Sequence, residues 1–355
     1  MSDIPPGILT KILARLPVMS LLRFRSVSKR VRALIDSSYF VNLHLEQSMR
    51  TNKVLAQFSG VGFSTSFRSL NLDPQPTAVE LETPFNRSRF HLVLGTCNGL
   101  ICLCSGPFDR LILLWNPSTR KCKQIPNPVD YPPTYSVLHA VDQLCYDHVN
   151  NDYKVVRLTQ TCATGVWLDS KFYVYSLKLN AWLSMEQKFP YNDLLAYYKN
   201  QGVCVSGAIH WLLNQEPDPG QDYLMVSFDL ASQTFQSVPL PECYDRYGDI
   251  DLGILEGCLC VVGNRESYNV DVWVMREYGV KESWSKLVAL TMSSDMTNRL
   301  PSARPIMYLK NHKEVVLEIN RQKFLIYDLE RKESRNISFR NVSRMSTFVY
   351  HESLV

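Results

Sequence analysis

Residues 95–128 read GTCNGLICLCSGPFDRLILLWNPSTRKCKQIPNP, and the rest of the chain can be read outward from this stretch. Its apolar runs, LICLC and LILLW, are short and separated by turn residues, the texture of strands and not of helices. In WNPSTRK, Asn116, Pro117 and Ser118 stand where a tight turn needs them. Cys102 and Cys104 alternate within their run, so both point to one face of a strand.

The same unit recurs in residues 144–185, 202–241, 251–287 and 304–339, with a fainter first copy in 54–85. Each copy carries alternating strands such as KFYVY and a polar turn such as SLKLNAW or FDLASQTF. Repeats of roughly 40 to 55 residues with about four strands each are the signature of propeller blades. The count is about six. Residues 346–355, STFVYHESLV, are a spare strand that can complete the first blade and close the ring, which removes exposed edges.

Composition agrees. The chain has 355 residues, 45% hydrophobic and 20% charged, as expected of a globular protein with more than one unit. No apolar run reaches the roughly 18 residues of a spanning helix, so no membrane span is expected. The first residues, MSDIPPGILTKIL, lack the features of a secretory leader. The ten cysteines are therefore expected to be reduced thiols in the cytoplasm or nucleus. Cys102/Cys104 and Cys258/Cys260 read as core filler, and no metal or other cofactor is expected.

The net charge of +4 is unevenly spread: residues 1–50 hold +5 and the other 305 hold −1. That basic segment is helical in pattern. Ile8, Leu9, Ile12, Leu13 and Leu16 fall at amphipathic spacing, with Pro5 and Pro6 at the entry and Pro17 expected to end the helix. Ser20 is expected to cap a second helix over Leu21, Leu22 and Phe24. Ser28 caps a third, with Val31, Leu34 and Ile35 inward, and residues 37–45 supply a last turn or two. Such short helices must pack on something, so apolar surface is left for the chain's own body or for a partner. The basic residues are interleaved with core positions and there is no aromatic platform for bases, so nucleic acid is not an expected partner. The fold class is thus α+β multidomain, a small N-terminal all-α unit in 1–48 followed by an all-β propeller-like repeat domain in 53–355.

Residues 4–45, IPPGILTKILARLPVMSLLRFRSVSKRVRALIDSSYFVNLHL, resemble an F-box. The matching positions are Ile4-Pro5, Ile12-Leu13, Leu16-Pro17, Ser20-Leu21-Leu22-Arg23, Val27, Lys29, Leu34-Ile35, Phe40 and His44-Leu45; the chain departs from the pattern at Gly7, Met19 and Val31. In the body, CNGLICL, LWNPSTRK, YDHVNNDYKVVRL, GAIHWL and DVWVMREYGVKESW resemble the kelch-related F-box-associated domain of plant F-box proteins. The resemblance implies a substrate-recognition subunit of a Skp–cullin–F-box ubiquitin ligase, with a Skp-type adaptor and, through it, cullin as partners. It implies an adaptor surface formed by Ile4, Pro5, Ile8, Leu9, Ile12, Leu13, Leu16, Pro17, Leu21 and Leu22. Similarity to S-locus F-box proteins and to relatives that restrain immune receptors implies an S-RNase-like protein or an immune receptor as target. The alternative is a ligand- or glycan-binding propeller with a decayed F-box, acting outside the ligase.

Catalytic constellations are weak. There is no nucleophile elbow and no phosphate-binding loop. His210 lies in an apolar strand and reads as a satisfied core residue; Asp147 and Asp152 read as turn residues. The chain is expected not to be an enzyme. The loops 128–140, 188–200, 214–222 and 242–250 are rich in Tyr, Pro and Asp, a composition suited to protein recognition.

Overall fold

The computed structural model describes residues 5–49, 53–59, 65–72, 76–85, 91–105, 111–131, 137–163, 166–183, 185, 202–214, 223–242, 249–265, 269–291, 302–309, 312–337 and 345–355. Four short helices precede six four-stranded antiparallel sheets, and the body is a six-bladed propeller. The chain divides into two compact units. One comprises Met1–Pro126 with Phe348–Val355, the other Asn127–Thr347.

The helices are α1 (Pro6–Leu13), α2 (Val18–Phe24), α3 (Lys29–Ile35) and α4 (Ser38–Ser48). Two expectations are corrected here. The first helix ends at Leu13, and Pro17, instead of closing it, is the N-cap of α2, so Ser20 lies inside α2 and caps nothing. Residues 14–16 tighten into a turn through Leu16 N–H donating to the Leu13 carbonyl at 3.0 Å, which leaves proline's missing N–H at a helix start, where it costs least. Ser28 does cap α3, accepting from Val31 N–H at 3.1 Å, and Ser37 caps α4 through Phe40 N–H at 3.2 Å. Leu13, Ala14, Leu21, Ile35 and Phe40 form the head's core.

The first sheet has the order β24 (Met345–Tyr350), β1 (Lys53–Ser59), β2 (Thr65–Asn71), β3 (Thr77–Glu80). The late strand thus completes the first blade, as the sequence pattern predicts. The second sheet runs β4 (His91–Cys97), β5 (Leu100–Ser105), β6 (Leu111–Asn116), β7 (Lys121–Ile125). Leu55, Phe67, Val93, Ile101, Leu103, Trp115 and Tyr350 fill the core between them.

The second unit holds four sheets in chain order: β8–β11 (Val137–Asp147, Asp152–Ala163, Val166–Ser176, Ala181–Leu183), β12–β15 (Val203–Val205, Ala208–Asn214, Tyr223–Asp229, Thr234–Val238), β16–β19 (Asp249–Leu255, Cys258–Arg265, Asn269–Met275, Trp284–Thr291) and β20–β23 (Ala303–Leu309, Glu314–Ile319, Lys323–Asp328, Ser334–Ile337). Their first strands, β8, β12, β16 and β20, lie side by side in that order. Faces of adjacent sheets interlock: Phe172 and Val156 meet Trp211 and Phe228, for example, and Val272 and Val288 meet Val315 and Leu317.

One kind of turn recurs, between the third and fourth strands after β6, β14 and β22 and between the first and second after β8. Asn116 Oδ1 accepts from the N–H groups of Ser118 and Thr119; Asp147, Asp229 and Asp328 do the same two and three residues on. A residue in the left-handed region closes each of these turns: Arg120, Asn151, Gln233 and Lys332. These carboxamide and carboxylate caps mimic a backbone turn and end the strand without needing glycine.

The cysteine expectation is corrected in one place. Cys145 on β8 and Cys204 on β12 are disulfide-bonded across two neighbouring sheets, with Cα atoms 5.5 Å apart. Cys102, Cys104 and Cys260 are buried, consistent with core filler. Burial pushes the Cys260 thiol far up.

Candidate functional site

The head carries most of the functional signal, and burial divides its aliphatic residues. Leu13 and Leu21 are 3% and 0% exposed and serve the head's own core. Leu9 and Leu16 pack against that core from the side, and Leu22 is half-buried. Ile8 and Ile12, one turn apart on α1, are 53% and 49% exposed. Pro5 and Pro17 are exposed at the starts of α1 and α2. Ile4 lies outside the described residues. Of the ten residues, the exposed strip is therefore Pro5, Ile8, Ile12 and Pro17, with Leu9, Leu16 and Leu22 at its edge.

More apolar surface lies beyond that set. Met19, Phe24, Val27 and Tyr39 are all exposed in the head. Phe24 was expected on the second helix, and it is there. Because α2 starts at Val18, Val18 and Leu21 take the buried face and Phe24, one turn on, lies at its margin. Val31 and Leu34 do pack against the core.

Charge decorates the rim. Arg25 binds Asp36 at 2.8 Å, and Arg32 approaches the same carboxylate at 3.6 Å, tying the end of α3 to the end of α2. Lys11, Arg15, Arg23, Lys29 and Arg30 face solvent. A basic surround of this kind speeds encounter with an acidic partner more than it adds affinity. His44, buried on α4, holds the linker between α1 and α2 through Leu16 O at 3.0 Å.

In the body, the polar residues singled out from the sequence are engaged in structure. His210 is fully buried, with Nδ1 facing the Val203 carbonyl at 3.3 Å and Nε2 2.8 Å from the Tyr278 hydroxyl. Asp147 ends its strand in a turn and binds Lys154 at 2.6 Å; burial raises its carboxyl, but Lys154 and Asn150 more than offset this and hold it below its usual value. Asp152 accepts from the Lys178 N–H at 2.8 Å and from the Ser176 hydroxyl at 2.5 Å. Trp115 and Trp211 are core residues. Among the described residues, no group of three or more His, Cys, Asp or Glu side chains is placed to hold a metal ion. No helix there is long and apolar enough to cross a membrane.

Of the four recognition loops expected from sequence, residues 132–136, 188–200, 215–222 and 243–248 lie outside the described residues. The described parts of the second unit expose Val129, Val149, Leu179 and Tyr278 on turns.

A helical head with a shut core and an open apolar strip, followed by six propeller blades, defines a class of two-part recognition proteins. Comparison with known proteins gives the particular family. Residues 1–43 match the F-box domain and residues 47–355 the F-box associated beta propeller domain. F-box protein CPR1 of Arabidopsis thaliana is 32% identical, over 96% of this chain and 86% of its own length. F-box protein At4g22390 of Arabidopsis thaliana is 30% identical, over 93% of this chain and 84% of its own. F-box/kelch-repeat protein At3g23880, from the same plant, is 29% identical over 84% and 82%. The chain belongs to the plant F-box proteins with an F-box-associated β-propeller domain.

Proposed function

We propose that this chain is the substrate-recognition subunit of a Skp–cullin–F-box ubiquitin ligase and carries out no chemistry itself. Residues 1–48 bind the Skp-type adaptor, and residues 53–355 hold the target. The observation that carries this reading is the exposed strip Pro5, Ile8, Ile12 and Pro17 on a head whose own core is already filled by Leu13 and Leu21. A strip of that kind is spare surface, available to a partner. The target, with an immune receptor or an S-RNase-like protein as first candidates, docks on the propeller loops. Bringing a target lysine beside a charged ubiquitin carrier raises its effective concentration, which is the whole of the mechanism. The work is done in the cytoplasm or nucleus.

The test is adaptor binding by the full chain. Wild type binds a plant Skp-type adaptor; Ile8→Asp/Ile12→Asp binds at least about tenfold more weakly, the loss of one modest hot spot, with unchanged thermal unfolding. Equal binding by the double variant removes the assigned surface. Failure of both wild type and a Gly7→Asp/Val31→Trp variant to bind removes the ligase reading.

A further inference from the structure

Segment 351–355 touches both the head and the sheets of its own unit. Glu352 forms an ion pair with Lys53, at the start of β1, and its other oxygen accepts from the Val18 N–H, at the start of α2, at 3.4 Å. Leu354 packs against the head's core, the only residue from outside the helices and their linkers to do so among those described. The His351 ring lies beside the backbone of Ser48, at the end of α4.

The second sheet is shaped to receive the same segment. Ser353 is fully buried. Asn116 Nδ2 donates to the backbone oxygens of Ser353 at 3.1 Å and Val355 at 2.8 Å, while its Oδ1 holds the turn after β6. Gly99, at φ +84°, leaves room: a Cβ there would lie 2.4 Å from Ser353 Oγ and 2.5 Å from the His351 carbonyl oxygen. By contrast, no helix of the head packs extensively on a strand among the described elements.

We infer that Glu352 and Leu354 are positioning residues that fix the head on the first two blades, so that adaptor and blades move as one body. This rests on the ligase reading for its consequence: a fixed head gives ubiquitin a defined set of reachable lysines, and a loose one spreads it. The segment makes no described hydrogen bond or core contact with Pro5, Ile8, Ile12 or Pro17, but Glu352 does hold Val18, next to Pro17, so adaptor affinity is read in Leu354→Ser and not in Glu352→Lys.

The experiment uses the full chain with genetically encoded, non-cysteine spin labels at Tyr39 on α4 and Val79 on β3, both exposed, because Cys122 is an exposed thiol. Wild type gives one narrow distance distribution. Glu352→Lys and Leu354→Ser broaden it at least twofold, Lys53→Glu/Glu352→Lys narrows it again in part, and Leu354→Met stays narrow. Retained helical circular dichroism separates loosening from unfolding; Glu352→Lys, at a half-buried side chain outside the head's core, keeps the test alive if Leu354→Ser unfolds the head. In a second arm, each variant is assembled with Skp-type adaptor, cullin and ubiquitin carrier, and self-modified lysines are mapped by mass spectrometry. Leu354→Ser binds adaptor within twofold of wild type yet modifies a wider set of lysines. An equally narrow distance distribution in Glu352→Lys and Leu354→Ser overturns the inference. So does an unchanged lysine pattern alongside broadened distances. If wild type binds no adaptor, the ligase reading fails while the distance arm still decides the clasp.

Discussion

His210 Nε2 lies 2.8 Å from the Tyr278 hydroxyl, joining a buried strand of the fourth sheet to an exposed turn of the fifth. Because Nδ1 faces a carbonyl, it donates, and Nε2 accepts from tyrosine. A neutral ring is what this arrangement needs.

Burial depresses the His210 pKa to about 4, only partly opposed by the Val203 and Ala208 backbone. The unfolded chain takes up this proton near pH 6.5 and the folded chain only near 4. Stability is therefore complete above pH 6.5 and falls as pH drops toward 4, by about 3 kcal/mol from this group. His351, also depressed by burial, adds to the slope in the same direction. Urea midpoints measured from pH 7 to 4 should show this loss, with a shallower slope in His210→Gln. An unchanged slope refutes the assignment.

Arg157 and Asp142 face each other across β9 and β8, both buried, with Nε to Oδ1 at 2.5 Å. Asn127 Oδ1 accepts from Arg157 Nη1 at 2.7 Å, and the Tyr131 ring lies 5.0 Å from the guanidinium. Arg157→Met leaves a carboxylate buried without its cation and should cost about 3–5 kcal/mol. Arg157→Met/Asp142→Leu should recover most of that loss in denaturant unfolding.

Gly7 sits in the first turn of α1, and a Cβ built there meets nothing within 4 Å. Gly7→Asp removes glycine's backbone entropy and adds a favourable charge at the helix start, together about 1 kcal/mol. Amide exchange across α1 should slow about fivefold. Faster exchange shows that glycine is needed there.

The Cys145–Cys204 bond closes a loop of sequence separation 59. Chain-entropy reasoning gives it on the order of 4 kcal/mol. Reductant should lower the unfolding midpoint of wild type and leave Cys145→Ser/Cys204→Ser unmoved. A wild type indifferent to reductant shows that the bond carries no stability.

The turn residues made the blades legible. Asn116, Asp229 and Asp328 are local signals, because an Asx cap acts on its own backbone two and three residues away. The spare strand was legible because a short apolar, strand-like run with no partner beside it in sequence needs a sheet elsewhere. The division of the head was not. Ile8, Leu9, Ile12, Leu13 and Leu16 cover two adjoining stripes of a helix, and composition does not say which stripe faces in. Cys145 and Cys204 each sit in an ordinary apolar strand, so their pairing appears only when β8 and β12 are side by side. Lys154 and Arg157 lie in YKVVRL, where their charge alone suggests solvent, yet both are buried against carboxylates, on opposite faces of the strand. Such pairing is a tertiary property.

The first blade borrows β24 from nearly the far end of the chain. During synthesis, at about 5–20 residues per second, β1 emerges and then waits on the order of half a minute for its partner. Over that interval its edge is an open template for other chains. Ribosome-bound chains arrested before residue 345 should bind a β-edge probe that released chains do not. A complete first blade is thus a certificate that translation has run through residue 350, issued before any target can be held.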